Sequence, residues 1–338
     1  MLLKRGFIFE RPTLLLGLLT FALGVSLVKS DDAATEAWAT MPQPVTSFGA
    51  KVAGDYLYIL GGHIGESHKY TPETTLDSFH RMDLNHPGSW EELPDAVRSQ
   101  GVRLVVHDDV VYRVGGMHPV EGGSAEEAEL LSLADFASFD PEKGVWEQEP
   151  DLPSPRSSHE AVLVGRRLFV VGGWRLSGAS GDGVWEDTMY SIDLSAEEPA
   201  WETHPQPFRR RAISVATDGS KIYCIGGMGD SEGTSDEVDV YDVVSGEWTQ
   251  GPSIPRGAMK GFGSAACSVN GRVVLSPYGG KLWTLSSEGT AWEEIGELTS
   301  SRFFHRLVPM GEDKVIAIAG ASRRFGHLGS MEVAELSW

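Results

Sequence analysis

Cysteine is almost missing from this 338-residue chain: Cys224 and Cys267 are the only two. Each lies in an apolar stretch, so buried core thiols are expected rather than a bridge between them. Positive charge is also short. With 48 acidic against 28 basic residues the formal net charge is −20, and a surface of that sign repels duplex phosphates, which excludes nucleic acid as a partner. Ligand pairs at metal-binding spacing are missing too: His63, His68, His118, His159 and His305 are scattered over separate segments, so no metal and no cofactor is expected. Gly229-Asp230-Ser231-Glu232-Gly233 spells a nucleophile-elbow pattern, but without the strand-to-helix context that chemistry needs it reads as a chance match in a glycine-rich loop.

Long apolar runs are confined to one place. Lys4, Arg5 and Arg11 precede the run from Leu14 to Val28, and Val28-Lys29-Ser30 ends it with residues a signal peptidase tolerates. Residues 1–30 are therefore expected to be a secretory signal peptide, or a signal anchor if uncleaved. The rest would then be exported to a periplasmic, secreted or membrane-anchored extracytoplasmic location, with the membrane a partner only in the anchored case.

What the chain has in abundance is a repeat. Apolar runs closed by small residues recur six times, as in Tyr56-Leu57-Tyr58-Ile59-Leu60-Gly61-Gly62 and Arg167-Leu168-Phe169-Val170-Val171-Gly172-Gly173. The first glycines, at 61, 115, 172, 226, 279 and 320, are spaced by 54, 57, 54, 53 and 41 residues, a period that means a propeller or a solenoid. Polar turns (Gly54-Asp55, Asp108-Asp109, Gly165-Arg166, Asn270-Gly271) precede the doublet strands and predict tight hairpins. A third strand at period two follows, as in Thr188–Leu194, and then a tryptophan strand marked by residues 90, 146, 201, 248 and 292. A sheet with two apolar faces buries both only when stacked between two others.

An apolar strand closed by Gly-Gly, then Tyr-Asp, then Trp and Pro resembles the kelch repeat, most clearly at Gly226-Gly227, Tyr241-Asp242, Trp248 and Pro252. The resemblance implies an all-β fold: a single six-bladed β-propeller over residues 31–338, four antiparallel strands per blade, with the N-terminal strand at 37–42 closing the last blade. In architecture it is similar to the periplasmic sialic acid epimerase and to the central domain of galactose oxidase.

By the same resemblance, one face carries the inter-blade junctions and the residues after each doublet. The junctions hold Arg98, Arg156, Arg209 to Arg211, Arg256, Lys260, Arg302 and Arg306, and a ring of guanidinium groups suits a carboxylate or sulfate. The candidate ligand-binding residues are Arg98, Arg156, His159, Arg211, Arg256, Lys260, Arg302 and His305 from the junctions, with His63, His118, Trp174 and Arg175 after the doublets. The expected function is a binding module for an acidic small molecule or glycan, or for a protein partner. The alternative is a sugar-acid epimerase or mutarotase, in which Glu160 and His159 or His305 exchange protons; catalytic residues are not otherwise assignable.

Overall fold

The computed structural model describes residues 38–120, 129–178, 183–230, 233–255, 257 and 259–338. The proposed signal segment lies outside them, as does Arg256. Six antiparallel blade sheets follow one another along the chain. Their inner strands are Gly49–Ala53, Arg103–His107, Glu160–Val164, Ser214–Thr217, Ala265–Val269 and Arg306–Met310, and each touches the next, the sixth returning to the first. That ring is the propeller axis. Five sheets have four strands; the last, Arg306–Met310, Lys314–Ile318 and Met331–Glu335, has three.

The hairpin turns form where the sequence predicts them: Gly54, Asp108, Asp109, Gly165, Asn270 and Gly271 all have positive φ. The doublet strands are apolar at every position because both faces are covered. Leu168, Phe169, Val170 and Val171 are each no more than 1% exposed, and they divide between two core clusters on opposite sides of their sheet. Burying such a side chain contributes roughly 1.5–3 kcal/mol, repeated from blade to blade.

Two further contacts recur with the repeat and fix each blade to its neighbour. The tryptophan of each outer strand donates its indole N–H to a backbone carbonyl of the preceding blade: Trp146 to Pro94, Trp201 to Pro150, Trp248 to Pro205 and Trp292 to Pro252, at 2.7–3.1 Å. The second glycine of the first four doublets donates its N–H to the next junction, Gly62 to Ser99, Gly116 to Arg156, Gly173 to Arg210 and Gly227 to Gly261. The first glycine cannot be replaced there. A Cβ on Gly61 or Gly115 would stand 2.5 Å from the same carbonyl, at a φ near +60°.

Both contacts reappear at the ring closure. Trp90 donates to Thr40, and Gly320 donates to Val45, so the N-terminal segment stands where the end of an outer strand and the following junction stand elsewhere. Met41 also donates to Gly329, and Trp38, Met41 and Val45 pack with Val308, Ile316 and Ile318 of the last blade. Over the described residues this clasp consists of point contacts, not a fourth ladder, because 38–45 carries no paired strand.

Candidate functional site

Four residues before the inner strands of blades three, four and six stand Arg156, Arg210 and Arg302, and all three are buried. Their doublets leave the sheet through left-handed glycines, which strands the carbonyls at the strand end without ladder donors. The guanidinium fork supplies those donors. Arg156 donates to the Gly172 and Thr188 carbonyls, Arg210 to those of Gly226 and Glu237, and Arg302 to those of Ala319 and Ser330. A carboxylate completes each set: Glu186 at 3.2 Å, Asp239, and Glu332 at 3.4 Å. Arg156 further lies 4.2 Å over the Tyr190 ring.

Among the described residues these three arginines are blade clamps, turned onto the carbonyls and carboxylates of their own blades. Arg98 pairs with Asp77 at 2.7 Å and donates to the Pro72 and Thr75 carbonyls of blade one. Lys260 stands 3.9 Å from Asp236, and Arg175 stands 3.7 Å from Glu186.

The histidines divide in the same way. His159 and His305, 0% and 1% exposed, lie beneath the glycine doublets, where Gly173 and Gly320 pack on their Cβ atoms. Burial, then the charges of Arg302 and Arg306, pull His305 down to about 3, and its Nε2 stands 3.0 Å from Ser276 Oγ. His159 is lowered as well, by burial and by Arg103 and Arg156. Glu160, the carboxylate expected to share a proton with them, is held by Arg103 at 2.8 Å and Arg306 at 2.9 Å. Glu160 and His305 line the same axial pocket, with Glu160 paired to two arginines and His305 kept neutral by burial and beside the Ser276 hydroxyl.

His63, after the first doublet, is buried as well, 3% exposed with its Nε2 3.0 Å from the Lys69 carbonyl. Its ring stands 5.0 Å from that of Tyr70 and 6.0 Å from that of His327. His118 lies half-buried in the short strand Met117–Pro119, paired with Leu131.

Arg211 behaves differently from its neighbour. In the short strand Arg210–Arg211, alternation sends Arg210 into the blade and Arg211 out onto the loop face. There its guanidinium lies 4.1 Å from the centre of the Trp174 ring and 5.3 Å from that of Trp185, a cross-strand pair whose rings are 5.7 Å apart. It also approaches the Met228 sulfur at 3.4 Å. Tyr70, from the long loop of blade one, comes close enough that each charge state affects the other. Among the described residues no carboxylate pairs with Arg211, and its Nε and the Trp174 Nε1 are buried without a hydrogen-bond partner.

Trp174 and Arg211 are thus the two sequence candidates that the fold brings together in an open position. Trp185 and Tyr70 join them, and sequence reading missed both because they lie within loops of variable length. Trp185 lies twelve residues past Gly173 and Tyr70 eight past Gly62, and the repeat marks neither position.

A ring of six antiparallel sheets with a loop-built face defines a β-propeller. The repeat is similar to that of kelch proteins. Residues 209–255 match the family model of the Kelch motif. Similar curated proteins include Kelch-like protein terF of Aspergillus terreus, 24% identical over 261 residues that make up 75% of this chain and 54% of that protein. Kelch-like protein 33 of Homo sapiens is 27% identical over 180 residues, 53% of this chain and 30% of that one. Beta-scruin of Limulus polyphemus is 25% identical over 215 residues, 60% and 21% of the two chains. The chain thus spans about half the length of the first of these relatives and less of the others. The solved structure of YjhT superposes with a TM-score of 0.70 at 13% identity, covering 89% of this chain and 99% of that one, and so shares the fold.

Proposed function

We propose that this propeller is a binding module that takes an acidic segment of a protein partner on its loop face, with Arg211 as the cation that receives it. One observation carries the reading: a half-buried guanidinium walled by Trp174 and Trp185, without a carboxylate partner among the described residues. Rigid aromatics beside an arginine form the composition of an interface hot spot. A protein with a net charge of −20 also needs a local cation to accept an acidic partner. The kelch relatives support protein recognition as the general use of the fold.

Peptide display against the full chain tests this. Acidic peptides should be enriched, their binding should fall at least tenfold on Arg211→Gln, and it should persist on Arg166→Gln at the opposite end of blade three. Peptides without Asp or Glu, or equal binding to the Arg211 variant, would overturn it. Competition by glucuronic or sialic acid alone, with no peptide selected, would instead favour the acidic-sugar reading, for which the Trp174–Trp185 wall is the supporting feature.

A further inference from the structure

Beneath the loop face, the propeller axis contains a second concentration of positive charge that recognition at Arg211 does not use. Six junction residues, Ser47, Gly101, Ser158, Ala212, Gly263 and Phe304, all have φ between 48° and 69° and ring the mouth of the axial channel. Just inside, the first residues of the inner strands of blades two, three and six are Arg103, Glu160 and Arg306. They form a triad in which both guanidiniums approach the same carboxylate oxygen, Glu160 Oε1, at 2.8 and 2.9 Å. Arg306 also donates from Nε to the Phe48 carbonyl, and Arg103 from Nη1 to that of Val102.

Two residues further along the strands, about 7 Å deeper, the channel is lined by Lys51, Val162, Ala216 and Cys267. Lys51 has no hydrogen bond or ion pair among the described residues. The wall therefore holds three cations, Lys51, Arg103 and Arg306, against the single carboxylate of Glu160, an excess of two positive charges in an enclosed space of about 60 Å³. Like charges this close are costly where water is scarce. The strain shows in the titration behaviour. Burial lowers the Lys51 ammonium, with Arg306 adding to the effect, while Cys267 and Glu160 oppose it. Burial and then Arg306 pull the Arg103 guanidinium down to about 9. The wall hydroxyls are partnered outside the channel, Ser214 Oγ with Ser264 Oγ at 2.6 Å and Ser268 Oγ accepting from the Thr217 N–H at 2.9 Å, so the cations are the groups left to meet an anion.

We infer that the axial channel binds a small inorganic anion between the Arg103–Arg306 pair and Lys51. Such an ion neutralises the excess charge and accepts from donors that Glu160 alone cannot satisfy. The space has room for a few waters or a small ion such as a halide or nitrate.

Two measurements on the full chain test the inference. Crystals soaked in bromide should show an anomalous peak on the axis between Lys51 and Arg306; its absence would overturn the inference irrespective of any variant. In thermal unfolding at constant ionic strength, replacing gluconate, a larger anion of diffuse hydration, with chloride or nitrate should raise Tm along a saturating curve. Lys51→Met should reduce that rise to less than half. Equal melting in chloride and gluconate, or a full rise retained by a folded Lys51→Met, would show that no axial site exists. Should Lys51→Met fail to fold, the bromide peak alone decides.

Discussion

Replacing Arg156 and Arg211 in turn separates a structural arginine from a recognising one. Arg156→Met keeps most of the buried volume, so the cavity cost is small and the loss is polar. The guanidinium gives up its bond to the Thr188 carbonyl at 2.5 Å, that to the Thr188 hydroxyl at 3.0 Å, and its pairing with Glu186 at 3.2 Å. Glu186 keeps only Arg175, at 3.7 Å. Breaking a buried pair of this kind costs about 3–5 kcal/mol. For a ring of this size that corresponds to a fall in Tm of roughly 6–10 °C. Arg211→Met loses one contact to a sulfur and keeps apolar contact with Trp174 and Trp185, so its cost should stay within about 1 kcal/mol. Circular dichroism melts of the two variants beside the wild type measure the difference. If Arg211→Met proved as destabilising as Arg156→Met, the assignment of separate roles would be wrong.

Other consequences follow from the same contacts. Gly115→Ala places a Cβ 2.5 Å from the Arg156 carbonyl at φ +55° and should cost about 2–4 kcal/mol, whereas Gly144→Ala, at φ +68° with open space around it, should cost about 1 kcal/mol; denaturant titration distinguishes them. His305 stays neutral when folded, with a pKa near 3, while the unfolded chain takes up a proton below about pH 6.5. Its contribution is thus complete above pH 6.5 and lost as pH falls toward 3, by up to about 1.4 kcal/mol per pH unit. His159, lowered in the same direction, adds to the slope. Melting profiles between pH 4 and 7 should flatten on His305→Gln, and an unchanged slope would contradict the burial argument.

The architecture was legible because its determinants are local and repeated. Glycine doublets, hairpin turns and tryptophans each mark one strand boundary, and the contacts they make, such as Trp146 to Pro94, recur in blades one to five at separations of 40 to 52 residues. The closure was legible in outline: Ala37-Trp38 and the following residues look like the end of a blade, and Thr40 and Val45 do stand at those places. Its detail was not, since point contacts and a paired ladder leave the same sequence pattern. The site was harder. Arg210 and Arg211 are adjacent and identical in type, yet strand alternation buries one against Asp239 and presents the other to Trp174. Only register distinguishes them, and a one-residue shift reverses the outcome. His159 and His305 looked like rim residues because they precede the inner strands, but the glycines pack over them. Arg103 and Lys51 were passed over because they lie in apolar strands. A charge in such a strand, where every neighbour is Val, Leu or Ala, was the signal.

The central claim is that Arg211 receives an acidic group of a partner, and a double-mutant cycle tests it most directly. Calorimetric titration of a selected acidic peptide and its Glu→Gln counterpart against wild type and Arg211→Gln yields the coupling between the two charges. A charge-assisted contact in this half-buried, aromatic-walled position predicts about 1.5–3 kcal/mol of coupling, weakening as salt rises. A coupling indistinguishable from zero for every acidic position of the peptide would contradict the account.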